Sequence, residues 1–132
     1  MDNKQKPLRM LYLSTARIPS EKAHAYQIVK MCEAFARQET DVTLLYQKRD
    51  NSAWTQDIHD AFAYYGVRVP FAMKQLFCFE LPFLGERLAR LQFYAGIVCY
   101  LAAAVYFIIF RRKSIDVIYC RDKFSLMVLG VL

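Results

Sequence analysis

The chain has 132 residues, a length that predicts a single domain, and its 56% hydrophobic and 15% aromatic composition excludes a disordered tail. Its formal net charge of +6 favours an anionic partner: a phospholipid surface, a nucleotide or a nucleic acid. The basic residues are scattered and no recognised nucleic-acid-binding motif accompanies them, so a nucleic-acid partner is not expected.

The first predicted unit is a strand followed by a helix. Residues 10–13 form an apolar run that predicts a strand, residues 14–22 form a polar loop, and a helix begins at about Ala23. Ser20 is the predicted N-cap, with Glu21 in the first turn. The apolar helix face carries Ala25, Ile28, Val29, Cys32, Phe35 and Ala36. The opposite face is predicted to be solvated and carries Gln27, Lys30, Glu33 and Arg37.

The polar loop supplies candidate ligand-binding residues. Ligands of open α/β sheets bind where strands end and helices begin, and a helix N-terminus favours an anion. Five side chains could therefore cradle a phosphate-bearing or hydroxyl-rich ligand: Thr15, Arg17, Ser20, Lys22 and His24. The alternative, which spacing alone favours, is an ordinary polar loop with solvated charges.

The second unit repeats this order. Residues 41–46 are β-branched and apolar and predict a second strand, followed by a charged loop over residues 47–53. Thr55 is the predicted N-cap of a helix on which Ile58, Ala61, Phe62 and Tyr65 share one face. Gly66 is expected to end that helix as its C′ residue.

A third strand is predicted at residues 67–69, where Pro70 would end it. The aromatic segment 72–82 could line a groove or pack beneath the next helix, and packing is favoured. The alternation of strands and helices predicts an α/β fold, a Rossmann-like parallel sheet with flanking helices.

A long apolar helix is predicted at about residues 86–113. It contains 18 consecutive uncharged residues, 93–110, which would measure about 27 Å as a helix. Basic residues at both ends are predicted membrane contacts: Arg87, Arg90, Arg111, Arg112 and Lys113. Three interpretations are open: a buried crossover helix, which is favoured, a helix in a membrane interface, and a transmembrane helix, which would separate the last strand from the first three.

The last predicted elements are a strand at residues 116–120 and an apolar helix over residues 123–132. The chain stops inside that helix and would leave an unprotected sheet edge. We therefore expect residues 1–132 to be one incomplete domain of a longer protein.

Cofactor and metal motifs are not apparent in the sequence. The four glycines form neither G-x-G-x-x-G nor a Walker loop, so no dinucleotide or P-loop cofactor is expected. The two histidines lack H-E-x-x-H spacing and the four cysteines form no C-x-x-C pair, so no metal site is expected. Buried free thiols are predicted at Cys32, Cys99 and Cys120. No apolar stretch precedes the first strand, which predicts a cytoplasmic protein.

Three segments resemble the start of the acceptor-side domain of family 4 glycosyltransferases, which have the GT-B fold: RIPSEKAH at 17–24, MCEAFA at 31–36 and DVTLL at 41–45. The resemblance is strong over residues 10–46, weaker over 116–125 and limited to pattern between them. The family usually has Gly-His before the second strand, where this chain has Glu39-Thr40. The chain therefore lacks the glycine that most readily adopts the left-handed conformation at a helix end.

The resemblance implies an amino-terminal GT-B domain that takes part in sugar transfer from a nucleotide-sugar donor to a glycan or lipid-linked acceptor. It further implies retention of anomeric configuration, no essential metal, and a nucleotide sugar as co-substrate rather than a cofactor. Polar residues after the corresponding strand often line the family's cleft, so Arg121 is an implied phosphate contact. A surface salt bridge between Arg121 and Asp122 is the alternative.

In that family the donor binds mainly to a carboxyl-terminal domain with a Glu-x7-Glu signature, which these residues do not contain. We therefore expect no transfer by this chain alone, and the catalytic residues stay unassigned. The basic flanks of the apolar helix predict docking on the cytoplasmic face of a membrane, where a lipid-linked or envelope acceptor would lie. The alternatives are a non-catalytic membrane-associated interaction module and, less favoured, a small flavodoxin-like regulatory domain.

Overall fold

A computed structural model describes residues 6–47, 60–76 and 86–131. The strands are β1 (Arg9–Arg17), β2 (Asp41–Gln47), β3 (Ala72–Leu76) and β4 (Val117–Cys120). The helices are α1 (Ala23–Arg37), α2 (Ala61–Tyr65), α3 (Ala89–Arg111) and α4 (Lys123–Leu129). All strand pairs are parallel, in the order β3-β2-β1-β4, which confirms the predicted α/β Rossmann-like sheet with flanking helices.

Strand β1 is central, because it pairs with β2 on one edge and β4 on the other. Its side chains alternate between the two faces, as in any strand. Leu11 and Leu13 pack with Ala104 and Ile108 of α3. Tyr12, between them, belongs to the core beneath α1. Each of these three β1 side chains is at most 2% exposed, so β1 is buried on both faces.

Strand β1 extends further than the predicted residues 10–13 and includes part of the predicted loop. Its pairing with β2 is irregular between Leu13 and Arg17, and Arg17 then lies opposite Gln47. In the irregular part, the Ser14 amide donates to the Tyr100 hydroxyl at 3.0 Å, and the Ala16 amide donates to Ser14 Oγ at 3.0 Å. Side chains there replace the neighbouring strand as partners, which local sequence does not reveal.

Helix α1 begins at Ala23 as predicted, but its N-cap is Lys22 rather than Ser20, and no side chain caps it. Ser20 Oγ instead accepts from the Lys22 amide at 3.2 Å, one residue before the helix. Glu21 also precedes the helix, whose first turn contains no acidic residue. The predicted cap is wrong because the Ser20 hydroxyl closes the turn that leads into the helix.

Glu33 was expected on the solvated face of α1 but is buried, with 2% exposure. Its carboxylate accepts from the Arg68 amide at 2.8 Å, from Lys30 Nζ at 3.0 Å and from Arg37 Nη2 at 2.9 Å. The loop that follows α2 covers this side chain, so a carboxylate at a polar helix position becomes an internal acceptor. The Arg68 amide, Lys30 and Arg37 together lower the pKa of Glu33 to about 2.

The same contacts explain why the predicted strand at residues 67–69 is wrong. The Val67 amide donates to the Phe62 carbonyl at the end of α2. The Arg68 and Val69 amides donate to the Glu33 carboxylate. These amides are therefore committed elsewhere, and β3 begins only after Pro70, at Ala72. The rest of the ambiguous segment, from residue 77, lies outside the described residues.

The stabilisation from Glu33 is expected to disappear in acid. Because the folded-state pKa lies below the ordinary 4.5, the stabilisation is complete above about pH 4.5 and is lost as the pH falls toward 2. Thermal unfolding midpoints of the wild type and Glu33→Gln should therefore differ near pH 7 and converge near pH 2. A difference between the two proteins that does not change with pH would contradict this role of the carboxylate.

Helix α2 begins at Ala61, and Asp60 caps it by accepting from the Phe62 amide at 2.9 Å. The extended backbone of Asp60 excludes one continuous helix through that position. The predicted cap Thr55 and the predicted loop beyond Gln47 lie outside the described residues, and Gln47 itself belongs to β2. Gly66 ends the helix with φ 61°, as predicted.

The turn between α1 and β2 closes without a glycine. Glu39 adopts φ 57°, and the Glu39 and Thr40 amides donate to the carbonyls of Ala36 and Phe35 at 3.2 and 3.3 Å. Glu39 therefore takes the left-handed conformation that glycine usually supplies at a helix end.

We expect Glu39→Gly to stabilise the fold. The left-handed conformation costs an ordinary residue about 1–2 kcal/mol, and the freedom of glycine in the unfolded chain cancels about 0.5–1 kcal/mol of the gain. The net increase in the free energy of unfolding should be about 0.5–1 kcal/mol in urea titration. Gln38→Gly is the matched control, since Gln38 has φ −90° and should lose stability. Equal losses in both variants would refute this explanation.

Helix α3 lies within the predicted segment, and 3-10 turns at Glu86–Leu88 and Arg112–Ser114 extend it at both ends. One stripe packs on the sheet and consists of Ile97, Tyr100, Ala104 and Ile108. Ala89–Ser114 is long and apolar enough to cross a membrane by length and composition, and 28% of its most apolar stretch is buried. The helix therefore crosses over the sheet with only one side covered among the described residues.

The carboxyl-terminal elements lie close to their predicted positions. Strand β4 begins one residue later than predicted, because Asp116 instead pairs with Arg9 at 2.8 Å across the edge of β1. Helix α4 ends at Leu129 and is capped by Asp122. Among the described residues, Cys32 is buried, and Cys99 and Cys120 are partly buried. Burial raises the pKa of Cys32 to about 12.

Candidate functional site

Five of the six predicted ligand contacts line one cleft of about 390 Å³. They are Thr15, Arg17, Ser20, Lys22 and His24. The cleft lies at the carboxyl end of β1 and β2 and beside the first turn of α1. This is the edge of a parallel sheet where ligands generally bind.

The loop between β1 and α1 is attached to the sheet through its backbone. The Ile18 side chain is fully buried, and its amide donates to the Gln47 carbonyl at 3.1 Å. The Ile18–Pro19 peptide bond is cis. These contacts hold the loop on the end of β2, so the side chains of the loop surround the cleft.

Tyr65 of α2 holds the next part of the loop. Its hydroxyl accepts from the Ser20 amide at 2.7 Å and donates to the Ser20 carbonyl at 2.9 Å. Tyr65 is 4% exposed, and burial raises the pKa of its hydroxyl, which therefore stays protonated. Ser20 is thus fixed by both of its backbone polar groups, and its hydroxyl accepts from Lys22 while keeping a hydrogen to donate.

The cationic side chains and the imidazole of the cleft are exposed, as the solvated-loop alternative also expects. Arg17, Lys22 and His24 are on its surface, and Thr15 is half-buried. No side chain caps α1, so its first-turn amides add partial positive charge beside Arg17 and Lys22. The exposed carboxylate of Glu21 lies next to Lys22 in the chain and offsets part of this charge. The remaining field favours an anionic ligand.

Arg121 is not among the residues that line this cleft. It follows β4, which pairs with the other edge of β1, and its Nη1 lies 3.5 Å from Met31 Sδ. The carboxylate of Asp122 accepts from the Ser125 amide at 2.8 Å and from Ser125 Oγ at 2.9 Å. Asp122 therefore serves as a helix cap, and Arg121 lies over α1 at the same edge of the sheet.

One residue of β2 and one of α3 also line the cleft, and neither was among the predicted ligand contacts. Gln47 ends β2, is 6% exposed, and donates through Nε2 to the Gly96 carbonyl at 3.2 Å. Phe93 of α3 is 53% exposed and closes the cleft from the other side. Gln47 could have been found from its place at the carboxyl end of a strand, whereas no local signal indicates where Phe93 lies.

The predicted membrane contacts are separate from this cleft. Arg87 and Arg90 are exposed at the amino-terminal end of α3. Arg111, Arg112 and Lys113 are exposed at its carboxyl-terminal end, where the Arg111 guanidinium lies 5.8 Å from the centre of the Phe107 ring. The two basic groups therefore lie at opposite ends of the same helix.

Removing the Tyr65 hydroxyl should loosen the cleft loop. Tyr65→Phe leaves the buried Ser20 amide without its partner, so we expect the free energy of unfolding to fall by about 1–3 kcal/mol. Tyr12→Phe is the matched control, since Tyr12 is 1% exposed and its hydroxyl has no hydrogen-bond partner among the described residues. Burial raises the pKa of Tyr12 to about 12.

Urea unfolding of both variants measures the difference. Tyr12→Phe should be neutral or stabilising, because it removes an unsatisfied buried hydroxyl. Amide exchange at Ser20 should increase in Tyr65→Phe and stay unchanged in Tyr12→Phe. Equal destabilisation by both variants would contradict the assigned role of Tyr65.

The chain matches no protein-family model, no curated protein and no solved structure. Within residues 6–47, 60–76 and 86–131, no group of three or more His, Cys, Asp or Glu side chains lies close enough to hold a metal ion. The polar groups that line the cleft include two cations, hydroxyl groups and one imidazole.

Proposed function

We propose that this chain forms the acceptor-side part of a retaining, metal-independent glycosyltransferase that uses a nucleotide-sugar donor. The observation that carries the proposal is the convergence of Thr15, Arg17, Ser20, Lys22 and His24 on one cleft. These residues belong to the segment with the strongest resemblance to family 4 glycosyltransferases. The parallel sheet is of the kind this function requires, although many functions share that fold.

The proposed roles follow from the chemistry of the side chains. Arg17 and Lys22 hold an anionic group, a phosphate of the acceptor or donor, and the amides at the start of α1 add donors. Thr15, Ser20 and His24 hydrogen-bond sugar hydroxyls. The donor binds mainly to a second domain with the Glu-x7-Glu signature, so the reacting atoms meet between the two parts.

A non-catalytic membrane-associated interaction module is the second candidate. The exposed apolar surface of α3 favours it, because five of its large side chains are at least 60% exposed: Leu91, Val98, Tyr106, Ile109 and Phe110. This function requires a partner surface and no sugar transfer. Both candidates place the protein on the cytoplasmic face of a membrane.

Titration of the labelled chain with glucose 1-phosphate, followed by amide NMR shifts, tests the cleft. We expect shifts centred on residues 15–25, and weaker binding by about tenfold in Arg17→Gln and in Lys22→Gln, since each removes a charged hydrogen-bond donor. Arg68→Gln is the control, because its side chain is exposed and only its amide contacts Glu33. Shifts confined to other regions, or equal losses in Arg68→Gln, would reject the ligand site.

Nucleotide-sugar turnover tests the assignment of the donor site. The purified 132-residue chain should not transfer sugar from any nucleotide sugar, because the donor-binding signature is not among its residues. Turnover by this chain alone would show that the donor site lies within it.

A further inference from the structure

Helix α3 presents a continuous apolar stripe to solvent, on the side facing away from the sheet. The outward stripe consists of Leu91, Ala95, Val98, Ala102, Tyr106 and Ile109. Their spacing of three and four residues places them on one helix face. Every member is exposed, and the four large side chains are 60–65% exposed. An exposed apolar patch of this length indicates contact with something other than water.

The opposite face of α3 is fixed to the sheet. Tyr100 is fully buried, and its hydroxyl accepts from the Ser14 amide and donates to the Leu45 carbonyl, both at 3.0 Å. Ala104 and Ile108 pack on Leu11 and Leu13 of β1. A membrane-spanning position would remove this layer from the sheet and leave two buried backbone groups without partners, which costs several kcal/mol in hydrocarbon. The outward stripe therefore contacts its partner while α3 stays on the sheet.

Charge decides which partner fits. Arg87 and Arg90 lie exposed at one end of α3, and Arg111, Arg112 and Lys113 at the other. Helix α3 itself contains no acidic residue, and Glu86, next to Arg87 in the chain, offsets one positive formal charge at the first end. A second copy of the helix would bring cations against cations in either orientation, parallel or antiparallel. Anionic lipid headgroups neutralise both ends at once, and the apolar stripe between them matches the headgroup and acyl-chain boundary.

We propose that α3 docks flat on an anionic membrane, with the outward stripe inserted at the boundary and both basic ends contacting lipid headgroups. The helix is about 35 Å long, so the contact is an extended one. Phe93 lines the cleft from the sheet-facing side of α3, four residues before Ile97 and seven before Tyr100, so the cleft is separate from the outward stripe. The docking rests on α3 alone and holds whether or not the chain takes part in sugar transfer.

Flotation of the full chain with lipid vesicles tests this proposal, because aggregated protein sinks while bound protein rises. The chain should float with phosphatidylglycerol vesicles at low salt, and less with phosphatidylcholine vesicles or at high salt. The double variant Val98→Glu with Ile109→Glu should bind at least about tenfold more weakly. Arg112→Gln should bind about fivefold more weakly, the effect of one cation at an anionic surface.

Tyr64→Glu is the control for an added carboxylate, since it places one negative charge at an exposed aromatic position of α2, which packs with α1 on the other face of the sheet. It should bind as the wild type does, and urea midpoints should show that all variants fold. Absence of flotation, or an equal loss in Tyr64→Glu, would overturn the proposal. Two other results would also overturn it: resistance to alkaline carbonate, which indicates a spanning helix, and a lipid-free dimer that the double variant abolishes.

Discussion

The parallel pairing of β1 with a strand on each edge is the constraint on which the rest of the structure depends. A strand paired on both edges and apolar on both faces needs a covering layer above and below the sheet. Helix α1 covers Tyr12, and α3 covers Leu11 and Leu13. At one end of β1 the Arg9–Asp116 pair joins it to the segment before β4. At the other end of β1, the cleft forms between the chain that leads into α1, the last residue of β2 and Phe93 of α3.

Much of this arrangement follows from sequence pattern. The helical spacing of apolar residues such as Ala25, Ile28 and Cys32 predicts α1 and its buried face, and all three are at most 1% exposed. The predictions were wrong where a group distant in the sequence binds a backbone amide that a local interaction was expected to use. Val67 and Val69 favour a strand by their side chains, yet their amides bond to the end of α2 and to Glu33. No window of sequence around residue 67 contains that carboxylate.

The candidate site divides in the same way. Its five predicted residues lie within ten positions of one another, so the end of β1, the loop and the start of α1 bring them together without further information. Phe93 is distant from these residues in the sequence, and its position in the cleft depends on how α3 lies across the sheet. Arg121 was predicted to contact the ligand because it follows a strand of the same sheet, at the carboxyl end where ligands bind. The carboxyl ends of the strands are spread across the whole sheet, and Arg121, which follows β4, contacts Met31 of α1 rather than the cleft.

The Tyr100 hydroxyl has a mechanical consequence. It receives a hydrogen bond from Ser14 of β1 and gives one to Leu45 of β2, so a helix side chain is inserted where two neighbouring strands would otherwise bond directly. The hydroxyl thus bridges the two strands where their direct pairing becomes irregular, just before the cleft begins. Displacement of α3 from the sheet would break both hydrogen bonds and remove this partner from the Ser14 amide and the Leu45 carbonyl. The position of α3 and the contact between β1 and β2 beside the cleft are therefore coupled, because one hydroxyl group serves both.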